Sequence, residues 1–231
     1  MYLRAEAKGQ VRVFRASRLE AASLADRAYH AIRDMIVSVE LRPGAVIDER
    51  GLMERLGIGR TPTREALRRL AHERLVEVYP RRGMFVTSVE IRDLASLAEV
   101  RSVLESQVAR LAAERATDED RSGFDTLLDE LGHRTDLDAR ELMALDEQIH
   151  RQVYRAAHNP FLESTLEEYY VLALRIWYLA LDQAKGLEQA VLGHRELLEA
   201  IRDGDADRAE ETMRRHVLEF EESMRRLLTG A

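Results

Sequence analysis

Four side chains in the second half of the chain have types and spacing suited to holding a metal ion: Asp146, His150, His194 and His216. Asp146 and His150 stand four residues apart, so on a helix both side chains leave the same face. His194 and His216 come from two later segments, and need only pack against the first for all four to meet. The chain has 231 residues and no Cys, which excludes disulfides and thiolate ligands. Imidazole nitrogens and a carboxylate oxygen suit a divalent ion, Zn foremost, with Ni, Mn or Fe as alternatives. Four protein ligands leave positions open on a five- or six-coordinate ion. On spacing alone such an Asp–His pair is more often a surface pair and a histidine such as His194 more often exposed, so the elements that carry these residues matter.

A second set lies in Arg60-Thr61-Pro62-Thr63-Arg64. Thr61 reads as the N-cap of a helix and Pro62 as its first residue. Arg60 and Arg64 then stand at the end of a helix suited to the major groove, where arginine pairs bidentately with guanine. For any one arginine alone, a solvated face partnered by a residue such as Glu65 is the plainer account. The flanking elements favour DNA. Leu24, Ala28, Ile32, Met35, Ile36 and Val39 recur at helical spacing, and Arg42-Pro43-Gly44 ends that helix. A short helix follows from Asp48-Glu49 to Leu56, then a turn at Gly57-Ile58-Gly59. In the next helix Ala66, Leu67, Leu70 and Ala71 form the apolar stripe. Val76, Val78, Met84, Phe85 and Val86 flank Pro80-Arg81-Arg82-Gly83, which reads as a hairpin with a basic tip. Helix, short helix, turn, helix and hairpin spell a winged helix-turn-helix.

Charge divides the chain in the same way. Residues 1–90 hold 17 Lys and Arg against 12 Asp and Glu, and residues 91–231 hold 18 against 30. A basic first part joined to an acidic second part fits one domain that meets phosphate and one that does not. Residues 1–20, with five basic and two acidic side chains, read as a flexible arm. No apolar run is long enough for a bilayer span and no signal peptide is evident, so a cytoplasmic protein without membrane contact is expected. After Ile91 only Pro160 interrupts a helical period, giving six helices near 91–115, 118–132, 138–158, 160–184, 187–203 and 205–228. The expected fold is mostly α, a winged helix-turn-helix followed by an all-α antiparallel six-helix bundle. Bundle cores are common ligand and metal sites.

Tyr29 to Val86 resembles the GntR family of bacterial transcription regulators. The match runs through Leu41-Arg42-Pro43-Gly44, Leu52, Leu56-Gly57-Ile58, Arg60 to Leu67 and Pro80 to Val86. The rest resembles the effector domain of its FadR subgroup, through Glu99-Val100-Arg101, Leu104-Glu105, Asp146 with His150, Asn159 to Leu162, His194 with Leu197 to Ile201, and Ala209 through Met213 to His216. Six helices point to the VanR-like branch. The resemblance implies operator contacts from Arg50, Arg60, Thr61, Pro62 and Arg64, with Arg82 and Gly83 at a wing tip entering the minor groove. It implies that residues 21–90 bind DNA, and that 91–231 bind a metal through Asp146, His150, His194 and His216, bind an effector, and dimerise. A homodimer would meet a pseudopalindromic operator as a repressor, released by a small carboxylate near the ion; activation is the alternative outcome. Arg101 matches the position that pairs with the carboxylate, although an intrahelical pair with Glu105 fits its spacing as well. Two residues depart from the family: Gly59 where Ser is frequent, and Arg74 where Gly is frequent. A metal-dependent hydrolase using the same four ligands and a ligand-independent DNA-binding dimer are the rival readings.

Overall fold

In a computed structural model, residues 23–133, 137–180 and 187–229 are described. The expected arm at 1–20 lies outside them. The chain divides into two compact units, Met1–Thr87 and Ser88–Ala231.

In the first unit, α1 (Leu24–Val37) opens on a capping box, with the Asp26 amide donating to Ser23 Oγ at 3.1 Å. Its Ala28, Ile32 and Ile36 are fully buried and face Ala66, Leu67 and Leu70 of α3 (Arg60–His72). Between them α2 (Glu49–Leu56) is capped by Asp48 and closed by Gly57. Strands β1 (Val76–Tyr79) and β2 (Gly83–Val86) pair antiparallel, Val76 opposite Val86 and Tyr79 opposite Gly83. The loop before α2 is tied to this hairpin, because the Gly44 amide donates to Val86 O at 2.8 Å and the Ile47 amide to Met84 O at 2.9 Å. The unit is a winged helix-turn-helix.

One detail corrects the sequence reading. The N-cap of α3 is Gly59, in extended conformation, and not Thr61, so Pro62 stands third in the helix. Nothing opposes this, because the first-turn amides have no intrahelical acceptor and a missing N–H there costs nothing. The first helical bond runs from the Thr63 amide to Gly59 O at 3.2 Å.

The second unit is helical: α4 (Ile91–Arg115), α5 (Asp118–His133), α6 (Ala139–Ala156), α7 (Pro160–Ala180), α8 (Leu187–Leu192), α9 (His194–Asp203) and α10 (Ala206–Thr229). The longest packing seam is α4 against α10, where Val108, Ala109 and Ala112 meet Ala209, Met213 and Val217, all fully buried. The span expected as one helix at 187–203 is helical but divided at Gly193. A Cβ at Gly193 would stand 3.2 Å from Ala190 O and 3.3 Å from Gln189 O, so the close approach of the preceding turn favours glycine. The break puts His194 at the head of α9. No described helix is long and apolar enough to cross a membrane.

Candidate metal centre and nucleic-acid interface

The bundle brings all four expected ligands together. Asp146 and His150 project from α6, His194 from the start of α9 and His216 from α10, with one ligand atom of each within 4.8 Å of the others. Asp146, His150 and His194 are buried and His216 is half-buried. His150 Nε2 lies 3.2 Å from His194 Nε2, and Asp146 Oδ1 lies 3.7 Å from His194 Nε2.

The surrounding hydrogen bonds set the direction of these donors. His194 Nδ1 is 3.1 Å from Val191 O, and a carbonyl only accepts, so Nδ1 carries the proton and Nε2 keeps its lone pair. His150 Nδ1 lies 3.1 Å from Glu105 Oε2 and 3.3 Å from the Tyr154 hydroxyl; with its proton on Nδ1, facing that carboxylate, the lone pair of Nε2 turns inward. Tyr170 donates to Asp146 Oδ2 at 2.7 Å and leaves Oδ1 on the His194 side. In that tautomer the two inward lone pairs, 3.2 Å apart, call for a cation between them. That separation is also close to the roughly 3.3 Å edge of a tetrahedron with metal–nitrogen bonds of about 2.0–2.1 Å. Burial pushes the His194 imidazole down to about 4 and His216 well below the ordinary histidine range, with His194, His150 and Arg101 adding to the second. Both imidazoles are therefore neutral at pH 7, the form in which a histidine can bind a metal. The donor set fits a divalent ion.

Around this cluster runs a buried charge chain that the sequence only half disclosed. Arg101 is 4% exposed, and its Nε donates to Glu105 Oε1 at 2.5 Å, so the intrahelical pair is present. The guanidinium also lies 5.5 Å from the centre of the Phe220 ring. Burial acts to raise Glu105, but Arg101 and His150 outweigh it and hold the carboxyl at about 2. Glu105 thus joins Arg101 to His150, one of the four candidate ligands. Its spacing to Arg101 was visible in the sequence; its contact with His150, 45 positions on, was not. The aromatic Trp177 is buried and stacks on Phe220 at 5.3 Å, which makes it core.

In the first unit, Arg60, Thr61 and Arg64 are exposed in the first turns of α3, Pro62 is half-buried, and Thr63 is buried with its hydroxyl on Gly59 O at 3.0 Å. Because residue 59 is glycine, no side chain caps α3. Its first amides are left to an outside acceptor, and a helix N-terminus favours an anion. Arg64 pairs with Glu49 of α2 through Nε at 2.7 Å and Nη2 at 3.4 Å. Arg50 pairs with Glu54 of its own helix at 2.9 Å. At the hairpin tip Arg81, Arg82 and Gly83 are exposed, and Arg81 and Gly83 turn the chain at φ 64° and 101°.

Comparison with known proteins agrees with both halves. Residues 24–86 match the model of bacterial regulatory proteins of the gntR family, and residues 96–219 match the FCD domain. An HTH-type transcriptional regulator in an unstable DNA locus of Streptomyces ambofaciens is 33% identical over 82% of this chain and 80% of its own length. The HTH-type transcriptional repressor RspR of Escherichia coli K12 is 26% identical over 86% of this chain and 88% of its own. The solved structure of E. coli McbR/YncC shares the fold, with a TM-score of 0.75 and 23% identity over 86% of this chain and 95% of that one. With a winged helix-turn-helix that matches one family model and a helical unit that matches the other, this chain belongs to the gntR family of bacterial transcription regulators and carries an FCD domain.

Proposed function

We propose that the chain is a cytoplasmic repressor, working as a homodimer on a pseudopalindromic operator and released by a small carboxylate bound beside a divalent metal. The observation that carries this reading is the convergence of Asp146, His150, His194 and His216 within 4.8 Å inside the FCD unit. Asp146 Oδ1 and the inward imidazole nitrogens would hold the ion, Zn foremost. When bound, the ion supplies a Lewis-acidic anchor for an oxyanion. Arg101 adds the second attraction. Only its Nε is spent on Glu105, and a guanidinium offers five N–H donors, so the outer N–H groups can take an incoming carboxylate. Burial strengthens such a contact, because little water competes for it.

The DNA half rests on Arg60, Thr61, Pro62 and Arg64 at the uncapped start of α3, with Arg50 beside them and Arg82 and Gly83 at the wing. Two copies related by a two-fold axis present two such helices to two half-sites. Release follows if the carboxylate binds more tightly to an arrangement of the dimer that fits the operator poorly; no other thermodynamic route exists.

The test uses the purified full chain. Elemental analysis should find close to one equivalent of a divalent metal per chain, and a His194→Ala variant should lose it. A thermal-shift screen of small mono- and dicarboxylic acids should find stabilisers of the metal-loaded protein. The best of these should then weaken binding to a duplex enriched from a random pool by the wild-type chain. Equal metal content in wild type and variant would overturn the metal reading. A stabilising acid that leaves DNA affinity unchanged would overturn release by ligand.

A further inference from the structure

Two of the arginines assigned to DNA are held by carboxylates of the same unit, in different ways. Arg50 and Glu54 are 85% and 67% exposed and stand one turn apart on α2, an ordinary surface pair. Arg64 and Glu49 lie on different helices, fifteen positions apart, and the Glu49 side chain is only 28% exposed. The contact is two-pronged: Glu49 Oε2 accepts from Nε at 2.7 Å and Oε1 from Nη2 at 3.4 Å. A guanidinium gripped along this edge presents its far edge, formed by Nη1 and the outer N–H of Nη2, away from the carboxylate. That far edge is the pair of parallel donors that guanine O6 and N7 accept.

Arginine has several freely rotating bonds, and an exposed one loses much rotamer entropy on ordering. A carboxylate that fixes the guanidinium before DNA arrives removes part of that cost for one geometry only. It opposes non-specific binding too, since it places a negative charge beside the phosphates and cancels one positive charge. Both effects widen the gap between the right sequence and the wrong one.

We infer that Glu49 is a positioning residue for DNA recognition, holding Arg64 side-on so that its terminal fork reads one guanine in each half-site. This rests on the reading of α3 as the recognition helix. Glu49 touches no base in this scheme; it acts through Arg64.

The experiment measures affinity of the full chain, by fluorescence anisotropy, for the enriched duplex and for a scrambled duplex of equal length. It compares wild type, Glu49→Gln and Arg64→Ala at several salt concentrations. For E49Q the ratio of enriched to scrambled affinity should fall about tenfold, the order of one good bidentate contact. Affinity for the scrambled duplex should hold or rise, and the slope of log affinity on log salt should stay at the wild-type value, since no phosphate contact is lost. Repeating the enrichment with E49Q should relax preference at a single guanine per half-site and preserve the rest. A variant that merely unfolds would instead lose both affinities and show a lowered melting temperature, so the comparison is made below that temperature. If E49Q keeps the wild-type ratio while R64A loses it, Glu49 is only a surface partner and the inference fails. If R64A keeps the ratio as well, the assignment of α3 fails with it.

Discussion

The Glu105 carboxylate stands between Arg101 and His150, with one oxygen 2.5 Å from Arg101 Nε and the other 3.1 Å from His150 Nδ1. A carboxylate on the outer nitrogen of a ligating histidine fixes its tautomer and raises its basicity. Glu105→Gln keeps the shape, removes the charge, and leaves Arg101 buried without its counter-ion. Affinity for Zn, measured by competition with a chromogenic chelator, should fall about 10- to 100-fold. Unchanged affinity would show that His150 needs no such partner.

Two histidines of the cluster give the metal-free protein a defined pH response. His194 is lowered to about 4 and His216 falls well below the usual range, both first through burial. An unfolded histidine titrates near 6.5, so below that pH the unfolded chain takes up protons that the folded chain refuses. Their contribution is therefore complete above about 6.5 and is lost as pH falls toward 4. For His194 the loss at pH 5.5 is about 1 kcal/mol. Glu105, held at about 2, loses its contribution as pH falls from the ordinary carboxylate range toward 2, so it leaves the interval between pH 7 and 5.5 untouched. In chelator-treated protein the melting temperature should drop by several degrees between pH 7 and 5.5. A His216→Asn, His194→Asn double variant should flatten that drop, and an equally steep profile would assign it to other groups.

Arg74 offers a stabilising change. It adopts φ 61° just after α3, while the Leu75 amide donates to Leu70 O at 2.9 Å and the Arg74 amide to Ala71 O at 3.3 Å. This is a Schellman closure, whose left-handed residue is usually glycine. A side chain there costs about 1 kcal/mol. Arg74→Gly should raise the calorimetric transition of the N-terminal unit by roughly 4–8 °C. Arg74→Ala keeps the Cβ and should not reproduce the gain; if it does, strain is not the cause.

What the sequence disclosed and what it hid have one physical division. Local period gave the helices and the hairpin, because Ile32, Ile36, Leu67 and Leu70 repeat at the spacing a helix must bury. Arg74 was legible for the same reason, since a helix end imposes a local backbone demand. The start of α3 was misplaced by two residues because Thr61-Pro62 suits the second and third positions as well as the cap and first. Gly193 was hidden because the helical spacing of Val191, Leu197, Leu198 and Ile201, all buried, continues across it. The four possible ligands could be picked out, and their meeting depended on packing. Glu49 and the inner oxygen of Glu105 act across helices, at separations that no short-range pattern encodes.

The single tryptophan gives a direct readout of the proposed effector. Trp177 is 7% exposed and stacks on Phe220 with the rings 15° apart, and the Arg101 guanidinium lies 5.5 Å from the centre of that same Phe220 ring. A carboxylate that engages Arg101 must change the position or charge environment of the guanidinium, and Phe220 carries that change to the indole. Emission from Trp177 should therefore shift or change intensity on titration with an acid found by thermal shift, and saturate at the same concentration that weakens DNA binding. Arg101→Lys keeps a cation but not the planar fork, so it should raise the half-saturating concentration about tenfold or more. Phe220→Leu should reduce the optical response without a comparable loss of effector-induced DNA release. If R101K leaves both curves in place, the carboxylate is held by other groups and Arg101 serves only to balance Glu105.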